Sequence, residues 1–242
     1  MAHQLVARGK PADYGQEIVR RRSRVTSACV ALAGCRVLDF GSGNGAQTVE
    51  LLKHGCSIVA CDIDERDLAV LTSYAREHCI GDVTAVLYDG TTLPFPDGHF
   101  DVVVSYAVLE HVEEESRALN EIHRVLRPGG DLVISVPNKW WLFETHGARL
   151  PLLPWNRVPF FSWLPGPMHR RFARARIYRK AGFVRMLEAH QFAVLATSYI
   201  TAPMDVIRSP LLRNVLRTVV FRGDRSRLPF LSTEVLAHCR RK

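Results

Sequence analysis

The chain has 242 residues, 47% of them hydrophobic and 23% charged, enough to bury a sizeable core in one domain. No apolar run approaches the ~20 residues of a membrane-spanning helix. The opening "MAHQLVARGKPADYG" lacks the apolar centre of a signal peptide, and six scattered cysteines without a CxxC pair argue against a disulfide framework or a zinc site. The net charge of +8 is uneven: residues 1–138 carry 13 Lys+Arg against 19 Asp+Glu, and residues 139–242 carry 19 against 5. These features suit a reduced, cytoplasmic protein whose C-terminal part either meets something anionic or presents a solvated basic surface.

In chain order, Gln16 to Leu32 reads as a leading helix, basic on one face. "RVLDF" (36–40) is a continuous apolar run, as expected of a parallel strand buried on both faces. A helix follows over Asn44–His54, then a strand "SIVACD" and a helix over Glu65–His78. "VTAVLYD" and "FDVVVSY" are the third and fourth strands. A helix over Glu114–Leu126 stops at "RPGG", and "GDLVISVP" is the fifth strand. This alternation predicts a doubly wound α/β sheet with ligands at the carboxyl ends of its strands. After Pro137 the rhythm lapses over an aromatic, basic segment to about Arg176. It resumes with a helix (177–190) and a strand "FAVLATSYI", lapses again over 201–231, and ends in a strand "STEVLAHC". The two irregular segments are expected to form a cap over a single domain.

The glycine turn "GSGNGA" joins the first strand to the next helix, and by itself it also satisfies a dinucleotide fingerprint. Asp39, two residues ahead of Gly41, argues against a pyrophosphate: its carboxylate suits a ligand that brings an ammonium and a sulfonium there, such as S-adenosylmethionine. Asp62 ends the second strand, placed to accept from two ribose hydroxyls, or else is a solvated strand-end aspartate. Asp89 ends the third strand, placed to accept from an adenine amino group, or else caps a turn.

The blocks "VLDFGSGNG", "ACDIDERDL", "YDGTTLPFPDGHFDVVVSYAVLEHV" and "EIHRVLRPGGDLVISVPN", in this order, resemble the class I S-adenosylmethionine-dependent methyltransferase family, in its branch acting on small molecules, lipids, quinones and sugars. The resemblance is close over Arg36–Asn138 and looser over "YRKAGFVRMLEAHQFAVL". It implies a Rossmann-like, seven-stranded sheet with the last strand antiparallel. It also implies that Asp39, Gly41, Ser42, Gly43 and Gly45 surround the methionine part of the cofactor. Asp62 would take the ribose, Ile63 would pack on adenine, and Asp89 with Gly90 would take the adenine amino group. Ser105 and Tyr106 would lie near the transferred methyl, and the product would be S-adenosylhomocysteine. The family often has alanine at the place of Gly90.

Transfer from a sulfonium mainly needs alignment and exclusion of water, and a hydroxyl acceptor gains from a base. His111 is the first candidate, or else packs. Some quinone O-methyltransferases hold a divalent cation with an "ExxEH" pattern. Glu110 and His111 match it, but Ala107 replaces the first acid, so no metal is expected. Glu144 and His146, in "WWLFETHG", form a second candidate group. Trp140, Trp141 and Phe143 either line an apolar acceptor site or form the cap's own core. Arg170, Arg171, Arg174 and Arg176 can read an anionic group or remain solvated. "SPLLRNVLRTVVFR" (209–222) reads as a basic amphipathic helix with Arg213, Asn214 and Arg217 opposite its aliphatic arc. Such a helix lies on an anionic membrane or packs on its own domain. The expected function is methyl transfer, on oxygen, to a small or amphiphilic acceptor. A tRNA-modifying methyltransferase and a catalytically inactive cofactor-binding scaffold are the rival readings.

Overall fold

The computed structural model describes residues 16–80, 83–143, 159–173, 175–207 and 209–242, without the side chains of Met168 and Arg170. Its strands are β1 (Arg36–Phe40), β2 (Ser57–Asp62), β3 (Val83–Leu87), β4 (Phe100–Tyr106), β5 (Leu126–Pro137), β6 (Phe192–Thr201), β7 (Arg225–Ser226) and β8 (Ser232–Arg241). Its helices are α1 (Glu17–Ser27), α2 (Ala46–Leu52), α3 (Glu65–Glu77), α4 (Glu115–Val125), α5 (Gly166–Phe172), α6 (Lys180–Ala189) and α7 (Pro210–Val219). The sheet order is β3-β2-β1-β4-β5-β8-β6-β7. The first five strands run parallel, and β8 runs antiparallel to both β5 and β6. The sheet therefore has eight strands where seven were expected. The extra one, β7, is two residues that pair with the end of β6 through Tyr199 and Ile200, inside the second irregular segment. The leading helix is also shorter than the sequence suggested, ending at Ser27.

Alternate residues of the central strands enter opposite cores, which explains their unbroken apolar runs. Val103, Leu132 and Ile134 pack with Leu119 and Ile122 of α4 and Phe183 and Leu187 of α6. Val102, Val104 and Val133 pack with Val25 of α1 and Leu51 of α2 on the other face. Val19 of α1 and Ala46 of α2 meet Val70 and Tyr74 of α3 there.

The leading helix is held by its arginines as well as by its apolar face. Arg21, buried, donates from Nη1 to the carbonyls of Thr201 (3.0 Å) and Ala202 (3.2 Å) and from Nη2 to that of Phe221 (3.1 Å). Arg22, also buried, donates from Nε to Glu234 Oε2 on β8 (2.9 Å) and pairs from Nη2 with the other carboxylate oxygen. Ser135 Oγ donates to the same carboxylate at 2.8 Å. Although burial opposes its charge, Glu234 holds Arg22 firmly protonated, above the ordinary arginine value. Arg24 binds Asp224 with two hydrogen bonds, 2.9 and 2.6 Å, and Glu17 with a third, 2.7 Å.

Removing one partner of a buried pair strands the other charge. Glu234→Ala should destabilise the fold by about 3–5 kcal/mol. Glu114→Ala, which breaks an exposed pair with Arg117 (3.5 Å), should cost under about 1 kcal/mol. Urea unfolding of the two variants beside the parent checks the contrast, and equal small losses would refute it.

Candidate active site

The carboxyl ends of β1, β2, β3 and β4 converge where the strand order reverses between β1 and β4, the crevice at which open α/β sheets bind ligands. Asp39 sits on β1 between Ala60 of β2 and Val104 of β4, almost fully buried, and accepts from Thr48 Oγ1 of α2 at 2.6 Å. The turn that follows is tied back to β2, since Gly41 and Ser42 both donate to the Cys61 carbonyl, at 2.8 and 3.1 Å. Asp62, at the end of β2, receives the Gly43 N–H on Oδ2 (2.7 Å) and the Asp64 N–H on Oδ1 (3.0 Å). Each of those oxygens retains a second lone pair for a ligand hydroxyl.

The three glycines differ in purpose. Gly41 and Gly45 have left-handed backbones, and a Cβ there would overlap Val108 and Leu71. Gly43 is also left-handed, but a Cβ there would meet nothing within 4 Å. The first and third glycines are thus required by the protein's own packing, and the middle one faces open space.

Asp89 accepts on Oδ1 from the backbone of Thr91 (2.8 Å) and Thr92 (2.9 Å). The Thr91 hydroxyl first, and then these backbone bonds, hold its carboxyl down at about 2, although it is exposed to solvent. The turn-capping role is therefore present, and it fixes an ionised carboxylate at the rim. Ile63 is 65% exposed and lies beside Gly90, whose missing Cβ would come to 3.7 Å from Ile63 Cγ2. An apolar side chain left open between two strand-end carboxyl groups is a platform for a flat, weakly polar ring. Ser42 Oγ, both side-chain polar atoms of Asn44, and Ser105 Oγ are buried without hydrogen-bond partners in the protein. Buried polar groups are normally satisfied, so these orphans at the glycine turn and the end of β4 fit a polar ligand between them.

Ser105 and Tyr106 lie on opposite faces of the sheet. Tyr106 is under α1, its hydroxyl 2.6 Å from Thr26 Oγ1 and its ring 5.5 Å from the Arg22 guanidinium. Burial pushes its phenol up, well above the ordinary tyrosine value. Beyond β4, Ala107 adopts a left-handed backbone (φ 56°), which turns the chain so that Val108 lies over Gly41. His111 stands exposed on this loop, its N–H donating to the Val108 carbonyl at 2.8 Å. Among the described residues no group of three or more His, Cys, Asp or Glu side chains is gathered as a metal site. Glu144 and His146 lie outside the described residues.

Of the acceptor candidates, Trp141 is buried in the cap's own core with Ala202 and Met204, and its ring meets those of Phe143 (6.1 Å) and Phe221 (6.3 Å) edge-on. The two irregular segments thus pack on each other. Trp140 and Phe143 remain partly open, with the Arg179 guanidinium 5.6 Å from the centre of the Trp140 ring. Arg170 and Arg171 both fall on α5, and Arg171 is exposed. Arg176 is not available to a phosphate: it donates to the carbonyls of Val112 (2.6 Å) and Glu113 (3.0 Å), holding the loop after β4. The helix α7 is capped by Ser209 as its sequence suggests, but its two arginines are turned toward the protein while Asn214 stays exposed. Arg217 donates to the Pro203 carbonyl (2.7 Å) and pairs with buried Asp205, Arg213 donates to the Ile207 carbonyl (3.4 Å), and the aliphatic arc points outward except for Leu216, which packs in the cap core.

Sequence reasoning missed Thr48, Arg22 and Glu234. Thr48 lies nine residues after Asp39, on the helix that folds back over β1, and that spacing is a usable signal. Arg22 sits in "RRRSR", where nothing local distinguishes the buried arginines from an exposed one.

Residues 38–134 match the family described as a methyltransferase domain. This segment is similar to methyltransferase domains. A demethylmenaquinone methyltransferase of Clavibacter sepedonicus is 39% identical over 115 residues, 47% of this chain and 45% of that protein. A ubiquinone biosynthesis O-methyltransferase of Pseudomonas aeruginosa is 37% identical over 133 residues, 51% of this chain and 55% of that one. The chain spans about half the length of the curated relatives it matches. The crystal structure of an S-adenosylmethionine-dependent methyltransferase from Mesorhizobium loti shares the fold, with a TM-score of 0.62 at 20% identity over 91% of this chain and 98% of that one.

Gly41→Ala should lose stability, because the added methyl must displace Val108, whereas Gly43→Ala should keep most of it, the left-handed backbone costing about 1–2 kcal/mol. Thermal unfolding separates the two. For Asp89, a depressed carboxyl stabilises the fold at all pH above the ordinary aspartate range, and that contribution disappears as pH falls through about 2. Carboxyl-carbon NMR should show Asp89 titrating near 2, and a midpoint near 4 would contradict the turn geometry.

Proposed function

We propose that the protein transfers a methyl group from S-adenosylmethionine to an oxygen of a small, amphiphilic acceptor of the quinone-precursor type. The observation that carries this reading is the set of buried, unpartnered polar atoms of Ser42, Asn44 and Ser105 beside the open Gly43 turn, inside the methyltransferase segment. The quinone class is supported by the names of the two bacterial relatives.

S-adenosylmethionine, when bound, supplies a methyl already activated on a sulfonium, so the protein has to bind, orient and exclude water. Asp62 accepts from the ribose hydroxyls on the lone pairs its backbone partners leave free. Ile63 covers one face of the adenine, and Asp89, kept ionised by its turn, accepts from the adenine amino group. Asp39, buried and held by Thr48, places negative charge at the end occupied by the ammonium and sulfonium. Gly43 and Ser42 offer backbone and hydroxyl contacts to the methionine part. His111 is the candidate base on the acceptor hydroxyl, with Glu144 and His146 as the second group. Trp140, Phe143, Arg170 and Arg171 supply the apolar and anionic recognition of the acceptor.

Asp62→Ala should weaken S-adenosylmethionine binding by about 1–3 kcal/mol, roughly 5- to 150-fold, since two hydroxyls lose their acceptor. Calorimetry on the folded variant measures it, and unchanged affinity would remove Asp62 from the site. NAD should give no heat with the parent protein, and micromolar NAD binding would overturn the cofactor assignment. A labelled-methyl transfer assay with catechol and hydroxyquinone precursors tests the acceptor class. His111→Ala should lower kcat by about 100-fold or more with binding intact if His111 is the base.

A further inference from the structure

The first irregular segment leaves Trp140, Phe160 and Trp163 substantially open to solvent, with Trp163 edge-on to both Trp140 (6.2 Å) and Phe160 (5.0 Å). The second leaves the outer arc of α7 open: Leu211 is 77% and Val219 69% exposed, with Leu212 and Val215 about half exposed. Trp141 joins the two, because it packs with Leu216 of α7 through the cap core while its ring meets that of Phe143. A soluble monomer does not usually leave a row of aliphatic side chains on one helix uncovered. The two arginines of that helix, Arg213 and Arg217, are directed to the protein by hydrogen bonds and an ion pair to Asp205, and Asn214 and Thr218 are exposed beside the aliphatic side chains.

Among the described residues, exposed arginines accompany these side chains along the chain. Arg179 stacks on Trp140, Arg222 follows the end of α7, and Arg227 precedes the exposed Leu228 and Phe230. Three acids of the C-terminal part are already consumed: Asp205 by Arg217, Asp224 by Arg24, and Glu234 by Arg22. Aromatic and aliphatic side chains interleaved with exposed arginines are the surface chemistry of a protein that lies on an anionic bilayer. No described helix is long and apolar enough to cross one.

We propose that the exposed arc of α7, with Trp140, Phe160 and Trp163, docks the protein on the surface of an anionic lipid bilayer. Both segments emerge from the carboxyl edge of the sheet, after β5 and β6, so docking turns the acceptor end of the domain toward the membrane. An amphiphilic acceptor could then be taken from the lipid phase without crossing water. This purpose, though not the docking itself, rests on the acceptor reading above.

Flotation with vesicles of phosphatidylcholine alone and of phosphatidylcholine with phosphatidylglycerol tests the proposal on the full chain. The parent should float with the anionic vesicles, less so as salt rises, and little with the neutral ones. The triple variant Leu211→Gln, Val215→Gln, Val219→Gln changes only exposed positions and should lower the floating fraction by about tenfold, with S-adenosylmethionine binding unchanged. Arg222→Glu with Arg227→Glu should lower it on anionic vesicles specifically. No flotation, or flotation unaffected by the triple variant, would overturn the proposal. So would a dimer in sedimentation analysis that the triple variant dissociates, since a second copy would then cover the arc. Flotation without transfer to any quinone precursor would remove the acceptor class and leave the docking surface standing. Transfer without flotation would do the reverse.

Discussion

The pairing of Arg22 with Glu234 ties the first described helix to the last strand of the sheet. Arg22 lies on the first described helix and Glu234 at the start of the last strand, and both are buried. Two opposite charges in the interior offset their loss of hydration only with close geometry and further hydrogen bonds. Here two bonds join the pair, Ser135 adds another, and the Tyr106 ring lies against the guanidinium. The geometry fixes α1 over the carboxyl ends of β4 and β5 and the amino end of β8. Thr26 can then reach Tyr106, and Arg21 can reach the backbone of the second cap segment. A run of basic residues that resembles a nucleic-acid or phosphate surface is in this helix largely internal cement.

The glycine turn shows a similar division between structure and ligand. Two of its three glycines are required by contacts within the domain, with Val108 and Leu71. The turn is shaped before any ligand arrives, and the middle glycine, donating its N–H to Asp62, links the two strand ends that would hold the methionine and ribose parts. Preorganisation of this kind matters when the reaction depends on alignment, because freedom lost during folding is not lost again at binding. The loop carrying His111 is held in the same way: Arg176, at the end of the first cap segment, grips its carbonyls, and the left-handed Ala107 sets its direction.

Both cap segments follow strands that end at the site edge, and they meet in one small core around Trp141. A core this size covers only part of the apolar residues its segments carry. The remainder is presented outward, and its orientation follows from a local choice. Arg217 pairs with the buried carboxylate of Asp205, and that side of α7 faces the protein.

The strands of the parallel half, the positions of Asp39, Asp62 and Asp89 at their ends, and the Ser209 cap of α7 could all be read from the sequence. Each depends on local periodicity, on chain-breaking residues, or on a short-range hydrogen bond. The sequence also signals an antiparallel last strand, through the family blocks. What required the tertiary structure involves partners far apart in the chain. Arg22 and Glu234 are 212 residues apart and Arg24 and Asp224 are 200 apart, and nothing in either local stretch marks the pairing. The short β7 exists only because the second cap segment returns alongside β6. The amphipathic period of α7 establishes that it has two faces, and only its contacts with Asp205, Pro203 and Ile207 decide which one faces water, because periodicity carries no information about what lies opposite.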